Sequence, residues 1–494
     1  MNGLCSHNGV EYVIFPDINT MVTFVVSLIL LVLGYFLYGK LVERVFGVDT
    51  NRPTPAVEHP DGVDYVEMPW WRIFLIQFLN IAGLGPIFGA IMGVMFGPAS
   101  FLWIVFGTIF AGAVHDYMSG MMSLRSNGAS LPEIVGEQLG SKARFFMRAF
   151  SLFLMLLVGA VFVSGPAGLL AKMTPDFLNM NVWIVIIFAY YILATLLPID
   201  KLIGKIYPLF GAALLFMAVG ILIALFINKA PIPEVYEGIN NQHPQGLPIF
   251  PIMFVSIACG AISGFHATQS PLMARCLVNE RYGRRVFYGA MVSEGVVALI
   301  WAAAASSFFG SIDGLQEFVA SFPANTNTAA EVVNLISTEW LGTLGGILAM
   351  LGVVAAPITS GDTALRSARL ITADFLNVEQ KSIKKRLMVS VPLFVVTFLI
   401  LQMDFNVLWR YFAWSNQTLA VFTLWAITVY LCRQHRQYVI TILPALFMTA
   451  VCVAYILVAP EGLHLPLLWG YIASGLVCVV TLVAFCIWKR KLNN

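Results

Sequence analysis

Charge is scarce in this sequence. Only 11% of its 494 residues are Asp, Glu, Lys or Arg, whereas 59% are hydrophobic. Soluble globular proteins carry charge on about a quarter of their residues, so a chain of this length could not cover separate domains with a polar surface. A water-soluble enzyme is therefore excluded, and the apolar residues must face lipid or one another.

Other signals are missing as well. The net charge is only +2, which argues against a nucleic-acid partner, because such proteins gather basic residues on an aqueous face. The seven cysteines include no C-x-x-C pair, so neither a disulfide framework nor a zinc site is predicted. No metalloprotease or nucleophile-elbow motif occurs. The sequence thus predicts neither an enzyme nor a resident cofactor or metal.

Long apolar runs, by contrast, are abundant. Runs that could cross about 30 Å of hydrocarbon as helices occur at thirteen places. They lie at 21–38, 71–97, 101–123, 145–170, 182–197, 207–227, 249–273, 286–309, 340–366, 387–402, 407–432, 438–458 and 467–488. Because these runs are continuous rather than alternating, helices are favoured over barrel strands. The sequence predicts an all-α polytopic membrane protein with about 13 transmembrane helices.

The positions of Lys and Arg orient these spans. Cytoplasmic loops of membrane proteins carry an excess of basic residues. If the N-terminus lies outside and the C-terminus in the cytoplasm, all but three of the 28 basic residues fall on the cytoplasmic side. The exceptions are Lys172, Lys229 and Arg410. We therefore expect this orientation.

The second and seventh spans are expected to be broken helices. In the second, the stretch I-A-G-L-G-P at 81–86 contains two glycines and then a proline, and the proline removes a backbone hydrogen-bond donor. The seventh becomes polar in its middle, at 258–271. Breaks inside hydrocarbon persist only where they line an enclosed cavity, although Gly-rich packing kinks remain an alternative. The stripe of Gly85, Gly89, Gly93 and Gly97 is expected to serve close helix packing.

The two breaks open consecutive five-helix blocks, 71–228 and 229–432, which the charge pattern orients oppositely. This arrangement predicts an inverted 5+5 repeat with a discontinuous first helix in each repeat. Residues 1–70 would supply the outer N-terminus, one helix and a cytoplasmic linker, and residues 433–494 two C-terminal helices and a basic tail. Paired broken helices in inverted halves indicate the midplane binding site of a secondary transporter.

Candidate substrate-binding residues lie at the breaks, where a substrate carboxylate would face helix N-termini and backbone N–H groups. His266 is singled out because we expect it on the unwound stretch, where it would meet a carboxylate or carry a proton. A structural hydrogen bond to a neighbouring helix is its alternative role. The full set is Asn80, Ala82, Gly83, Gly85, Gly260, Ser263, Gly264, Phe265, His266, Thr268 and Gln269.

Ion coupling requires ionisable or oxygen-bearing groups at membrane depth, where they are costly and usually functional. Proton coupling would use histidines or carboxylates, and sodium coupling would use hydroxyls opposite the Gly83 break. The candidates are His115, Asp116, His266, Glu294, Thr359, Ser360 and Asp362. As alternatives, Asp116 or Asp362 pairs with Arg125, Arg366 or Arg369. The polar segment at 414–418 either lines the path or makes packing hydrogen bonds.

Several stretches together resemble the carbon starvation protein A family of bacterial inner-membrane transporters, over about 71–430. They are I-A-G-L-G-P at 81–86, G-A-V-H-D at 112–116 with G-A-S-L at 128–131, and A-C-G-A-I-S-G-F-H at 258–266 with Asn279, Glu280 and G-A-M at 289–291. The resemblance implies uptake of pyruvate or short peptides coupled to protons. It also implies a fold like that of the amino acid–polyamine–organocation superfamily.

The sequence departs from the family pattern at two places near the expected site. Larger members carry a His-His pair where this chain has Ile76 and Gln77, and the run S-G-T-x-P-K is replaced by T-Q-S-P-L-M at 268–273. If that His pair serves proton coupling in the larger members, we expect His266, His115 or Asp116 to serve it in this chain, or sodium to replace the proton as the coupling ion. We expect an ion-coupled symporter that works by alternating access. A sodium-coupled amino-acid-type transporter and a nutrient sensor that binds without transport are the alternatives, and the sequence sets no oligomeric state.

Overall fold

The computed structural model describes residues 6–7, 10–11, 21–62, 64–196, 199–228, 231–323, 326–380 and 382–493. Across these residues the chain is a helical bundle, with one short antiparallel strand pair, β1 (Ser6–His7) and β2 (Val10–Glu11). Most of the expected outer N-terminus and the predicted outlier Lys229 lie outside the described residues.

The first half of the chain begins with α1 (Val22–Phe46), which contains a π-helical turn, and the short α2 (Pro55–Glu58). Next come the two halves of the second predicted span, α3 (Trp70–Ile81) and α4 (Gly85–Val94). The remaining helices of this half are α5 (Ala99–Arg125), α6 (Leu131–Leu139), α7 (Ser141–Met173), α8 (Met180–Leu196) and α9 (Ile199–Asn228).

The second half starts, after a 3-10 turn at Val235–Glu237, with the π-helical turn Ile249–Met253, α10 (Phe254–Ser256) and α11 (Gly264–Ala274). These form the seventh predicted span. Then follow α12 (Glu280–Phe308), α13 (Ile312–Ala320), α14 (Thr328–Leu376, interrupted at Gly342), α15 (Ile383–Ile400), α16 (Phe405–Arg433), α17 (Val439–Val458) and α18 (Leu467–Asn493).

Each of the thirteen predicted spans coincides with a helix or a pair of helices. Seven helices of the described chain are long and apolar enough to cross a membrane, and the count rises to eight when α3 and α4 are taken as one bent span. The chain is therefore an all-α, multi-span membrane protein. The number thirteen, the inverted repeat, its boundaries and the orientation of the termini stay predictions.

Both expected helix breaks are present. α3 and α4 meet at 53° across residues 82–84, and residues 257–263 separate α10 from α11. Pro86 lies in the first turn of α4, where its missing N–H costs no helical hydrogen bond.

The second break, however, is shorter than expected. His266 is not on the unwound stretch but in the first turn of α11, and the residues from Gly264 to Gln269 are helical. The polar side chains here are satisfied within the helix, because Thr268 Oγ1 donates to the Phe265 carbonyl at 2.6 Å and Ser270 Oγ to the His266 carbonyl at 3.0 Å.

The glycine stripe of α4 packs the two broken helices together. A Cβ at Gly89 would lie 2.8 Å from the Ser256 carbonyl oxygen, and Gly85 and Gly93 face Cys259 and Ile257 in the same way. This confirms the packing role for three of the four glycines. Gly97 differs, since its φ of +100° places it in a turn after α4.

Candidate functional site

Four buried ionisable side chains from three helices lie together in the bundle. On α5, Asp116 Oδ1 is hydrogen-bonded to His115 Nδ1 at 2.8 Å, and Asp116 Oδ2 to His266 Nδ1 of α11 at 2.9 Å. The other ring nitrogen of His266, Nε2, is 3.4 Å from Glu294 Oε2 of α12. All four side chains have no exposed surface. We call His115, Asp116, His266 and Glu294 the central ionisable cluster.

The cluster retains unused hydrogen-bonding capacity. His266 Nε2 and Glu294 Oε2 approach each other without the geometry of a hydrogen bond, and Glu294 Oε1 and His115 Nε2 also have no partner. Buried polar atoms without partners are uncommon and costly, so such a group usually has a functional reason. The chain of groups can therefore accept or release protons at several atoms.

Small residues bring the three helices close enough to form this cluster. A Cβ at Gly112 of α5 would lie 2.9 Å from Met291 Cε of α12, and a Cβ at Gly295 would lie 2.6 Å from Thr108 Oγ1. Such close approach is typical of glycine-rich helix contacts in membranes. Thr108 Oγ1 also donates to the Gly260 carbonyl at 3.1 Å, so α5 holds both the cluster and the second break.

Side chains of α16 satisfy the second break. Asn416 Oδ1 accepts from Ser263 Oγ at 2.9 Å and from the Phe265 backbone N–H at 2.6 Å, which caps the N-terminus of α11. Gln417 Nε2 donates to the Ile262 carbonyl at 3.0 Å. For these two residues of the polar segment at 414–418, the packing role is therefore the correct one. The cap also occupies the helix N-terminus that we expected a substrate carboxylate to face.

The first break is held from α14. Ser360 Oγ donates to the Leu79 carbonyl at 3.0 Å, while Thr359 Oγ1 bonds the Ala356 carbonyl of its own helix at 2.8 Å. One turn further along α14, Thr363 Oγ1 lies 3.4 Å from Asn80 Oδ1. Ala82 and Gly83 form the break itself.

An aromatic ring links the two breaks. A Cβ at Gly83 would lie 2.8 Å from the Phe162 ring, and the same ring packs edge-on against Phe265, with centroids 6.1 Å apart. Both breaks therefore share one wall, which α7 supplies.

Uncharged polar side chains form a second group next to the first break. Ser367, one turn beyond Thr363 on α14, donates to the Thr268 carbonyl at 3.2 Å. Because Thr363 contacts Asn80, the same face of α14 meets both Asn80 and the neighbour of Gln269. Gln77 lies one turn before Asn80 on α3 and is fully buried. Both amide atoms of Gln77, Asn80 Nδ2 and Gln269 Oε1 have no hydrogen-bond partner. We call Gln77, Asn80 and Gln269 the amide group, and Thr268 Oγ1 accepts from Gln269 Nε2 at 3.0 Å.

Asp362 does not join the central ionisable cluster. It accepts from Tyr207 Oη at 2.5 Å, and Tyr207 Oη is in turn 3.2 Å from Tyr190 Oη. The positive charges of Arg366 and Arg369 on the same helix also act on it. Asp362 therefore lies within the electrostatic reach of these arginines, but its hydrogen bond goes to Tyr207, and in the described part of the chain it forms no ion pair with either arginine.

The corresponding alternative for Asp116 is wrong. Arg125 instead forms a two-point ion pair with Glu280, at 2.9 and 2.8 Å, and donates to the Gly47 carbonyl at 2.7 Å. Its guanidinium also lies over the Phe46 ring, 4.1 Å from the centroid. Asp116 is therefore left to the two histidines.

Sequence reasoning missed several members of this site. Asn416 and Gln417 were recognised as polar, but only their position against residues 257–263 shows that they cap a helix. Tyr207 and Thr363 carried no distinguishing signal. Gln77 was marked as a departure from the family pattern, and that departure was the signal for its place in the amide group.

The fold is that of a membrane transporter. A solved structure of a manganese transporter of Eremococcus coleocola, in complex with an aromatic bis-isothiourea substituted compound, matches with a TM-score of 0.51. The match covers 88% of this chain and 98% of that one at 14% sequence identity. At this identity the similarity concerns the fold alone.

The family follows from the sequence comparisons. The family described as carbon starvation protein CstA matches residues 19–176, 170–343 and 322–454. The chain therefore belongs to the carbon starvation protein CstA family, as its motifs indicated.

Several relatives of this chain carry names. An uncharacterized membrane protein of Haemophilus influenzae is 44% identical over 61% of this chain and 95% of its own length. The peptide transporter CstA of Bacillus subtilis is 26% identical over 94% of this chain and 95% of its own. The pyruvate/proton symporter BtsT of Escherichia coli is 28% identical over 55% of this chain and 46% of its own. The last two names describe transporters rather than enzymes.

Proposed function

We propose that this protein is a secondary active symporter of the bacterial inner membrane that imports pyruvate or a short peptide together with protons. The observation that carries the proposal is the central ionisable cluster, which is fully buried and lies beside the second helix break. Carboxylates and histidines at membrane depth are typical of proton relays in transporters. The names of two relatives, peptide transporter and pyruvate/proton symporter, support the substrate class.

His266 is the central member of the relay. Histidine changes charge closest to neutral pH, and each ring nitrogen can carry a proton. Asp116 faces Nδ1 and Glu294 faces Nε2, so a proton taken up on one side of the ring can be released on the other. In this scheme Glu294 and Asp116 are successive proton acceptors, and His115 orients Asp116.

Protonation is coupled to substrate movement through α5. This helix carries His115 and Asp116 and also bonds the Gly260 carbonyl of the second break through Thr108. A change of charge on Asp116 alters its attraction to His266 in the first turn of α11. One helix bundle then moves against the other and opens the site, in which the substrate is held between the two breaks. The N-terminus lies outside and the C-terminus in the cytoplasm.

Sodium coupling is the second candidate, and one observation favours it. Ser360 brings a hydroxyl to the Leu79 carbonyl at the first break, and both are hard oxygen ligands that suit a small cation. Uptake into proteoliposomes under separately imposed proton and sodium gradients decides between the two. Pyruvate, single amino acids, dipeptides and tripeptides are the substrates to test. Binding without uptake or counterflow of any of these would instead support the sensor.

The change Asp116→Asn tests the relay. The amide cannot take up a proton, so the rate of uptake driven by a pH gradient is expected to fall about a hundredfold. This fall corresponds to a rise of about 2.7 kcal/mol in the activation free energy of uptake. Counterflow at equal pH, which needs no net proton movement, is expected to persist and shows that the variant is folded.

Asp404→Asn is the matched control. This exposed residue caps α16 by accepting from two backbone N–H groups, and Asn caps helices equally well. Its uptake should equal that of the unmodified protein. Proton-driven uptake that survives in Asp116→Asn would remove the central ionisable cluster from the coupling mechanism.

A further inference from the structure

Four arginines are buried at the end of the bundle that carries most of the basic residues. Arg275 ends α11, Arg366 and Arg369 lie on α14, and Arg386 lies on α15. Their side chains are at most 8% exposed, and those of Arg366 and Arg369 at most 1%. We call these residues the four-arginine cluster. Buried arginines normally require anionic partners, because an unpaired buried charge is costly.

Other arginines at this end have such partners. Arg125 pairs with Glu280, Arg148 with Glu133 and Arg284 with Glu43, each at 2.9 Å or less. Two members of the cluster donate instead to neutral oxygens. Arg275 Nε donates to the Gly128 carbonyl at 2.9 Å, and Arg369 Nη1 donates to Gln380 Oε1 at 2.7 Å.

Arg369 provides the second observation. Its Nε and Nη2 atoms have no hydrogen-bond partner although the side chain is only 1% exposed. Nε and one terminal nitrogen of a guanidinium form the two-point donor edge that matches a carboxylate or phosphate. The charges of Arg366, Arg386 and Arg275 all act on Arg369, so the positive potential is concentrated at this edge.

Three acids act on members of the cluster. Asp64 acts on Arg369, and Asp362 acts on Arg366 and Arg369 while it accepts from Tyr207. Both of these carboxylates are buried. Asp374, which acts on Arg275, is exposed to solvent. None of these acids accepts from Nε or Nη2 of Arg369, which remain without a partner among the described residues.

The cluster lies close to the two breaks. Thr363 contacts Asn80 beside the first break, and Arg366 and Arg369 follow it by about 4.5 and 9 Å along α14 at the usual rise per residue. Ser367, between the two arginines, bonds the Thr268 carbonyl of α11. An anion that leaves the breaks toward this end would meet the cluster next. A lipid headgroup would need a site open to the membrane surface, which the burial of Arg366 and Arg369 does not provide.

We propose that the four-arginine cluster binds a small carboxylate anion and receives the carboxylate of the substrate on the cytoplasmic side of the breaks. The identity of the ligand as substrate rests on the proposed function, whereas the anion site itself does not. Arg369 supplies the two-point contact, and the neighbouring arginines supply the potential.

Thermal unfolding of the purified full-length protein in detergent tests the anion site without transport. Sodium pyruvate, sodium phosphate and sodium chloride are compared at constant ionic strength, and anionic phosphatidylglycerol is added in a further arm. Pyruvate should raise the Tm saturably, and Arg369→Gln should weaken its apparent affinity about tenfold, as loss of a charge-assisted contact predicts. Arg369→Lys, which keeps the charge, guards against a folding defect and should lose less.

Lys385→Gln is the matched control, because Lys385 is an exposed cation on α15 that pairs only with exposed Glu379. It should behave like the unmodified protein. Equal effects of pyruvate and chloride, or an unchanged affinity in Arg369→Gln, would overturn the site. A stronger effect of phosphate or of phosphatidylglycerol would overturn the carboxylate assignment.

Proteoliposomes separate this proposal from the proposed function. Arg369→Gln should raise the half-saturating pyruvate concentration for efflux from the cytoplasmic side about tenfold and leave that for uptake from outside within about twofold. If the unmodified protein transports no pyruvate but shows an Arg369-dependent rise in Tm, the proposed function fails and the anion site stands. If the unmodified protein transports pyruvate but shows no Arg369-dependent rise in Tm, the anion site fails and the proposed function stands.

Discussion

The two helix breaks look alike in sequence but differ in how their polar groups are satisfied. At the second break, Asn416, Gln417 and Thr108 from two other helices bond the backbone or side chains of residues 260–265. At the first break, Ser360 bonds one carbonyl, while the neighbouring amide of Gln77 has no partner. Other helices therefore satisfy the polar groups of the second break, whereas hydrogen-bonding groups beside the first break have no partner.

This difference separates support from recognition. A break capped from neighbouring helices is a fixed part of the scaffold, because every displaced cap would leave a buried polar group unpaired. A break flanked by unpartnered amides offers donors and acceptors to a ligand. We infer that the second break positions His266 for proton transfer, whereas the amide group beside the first break contacts the substrate. Three substitutions test this contrast, from the largest expected effect to the smallest.

Asn416→Ala should have the largest effect. It removes the acceptor of Ser263 and of the Phe265 N–H, so the N-terminus of α11 loses its cap at a cost of about 1–3 kcal/mol. We expect a lower Tm in detergent and loss of uptake. Thr423→Ala, whose hydroxyl bonds only the Leu419 carbonyl of its own helix, is the control and should change both little. A normal Tm in Asn416→Ala would show that the second break is not held by its cap.

Gln77→Leu should have an intermediate effect, which impairs uptake but does not lower stability. It replaces a buried amide without partners by an apolar side chain of similar size, so the Tm should stay equal or rise. The KM of uptake should nevertheless rise about fivefold to tenfold, equivalent to one lost hydrogen bond to the substrate. Gln402→Leu, at an exposed position after α15, is the control. A lowered Tm with unchanged KM would place Gln77 in the scaffold instead.

Ser360→Ala should have the smallest effect. It removes one hydroxyl from the Leu79 carbonyl and costs about 1 kcal/mol, because that carbonyl loses a single neutral bond. Uptake should fall less than about tenfold and remain driven by protons. Thr372→Ala on the same helix, where the hydroxyl bonds only the Ala368 carbonyl, is the control. A complete loss of uptake that sodium partly restores would favour the sodium-coupled alternative.

The helices and their breaks could be predicted well. Continuous apolar runs have few options in a bilayer other than helices, and Pro86 after Gly83 and Gly85 marked the first break. The end of the second break could not be predicted, because Thr268 and Ser270 are polar yet lie within a helix, where their hydroxyls bond to its own carbonyls. Composition alone does not distinguish such a helix from an unwound segment.

The site was predicted in part. His115, Asp116, His266 and Glu294 were recognised singly from the cost of charge at membrane depth. That they form one cluster while Asp362 pairs with Tyr207 depends on which helices touch, and no local pattern encodes this. The arginines raised the same difficulty, since Arg125 of α5 pairs with Glu280 and not with Asp116.

The sequence by itself determined that this chain is a membrane-embedded helical protein with two interrupted spans and rare, costly ionisable residues. Hydrophobicity and backbone chemistry act locally, so a linear pattern suffices to read them. Only the tertiary structure decided which rare residues meet. The glycines that let α5 approach α12, and the placement of α16 against the second break, brought distant residues within hydrogen-bonding distance. Such contacts follow from helix packing across the whole bundle, which no single segment specifies.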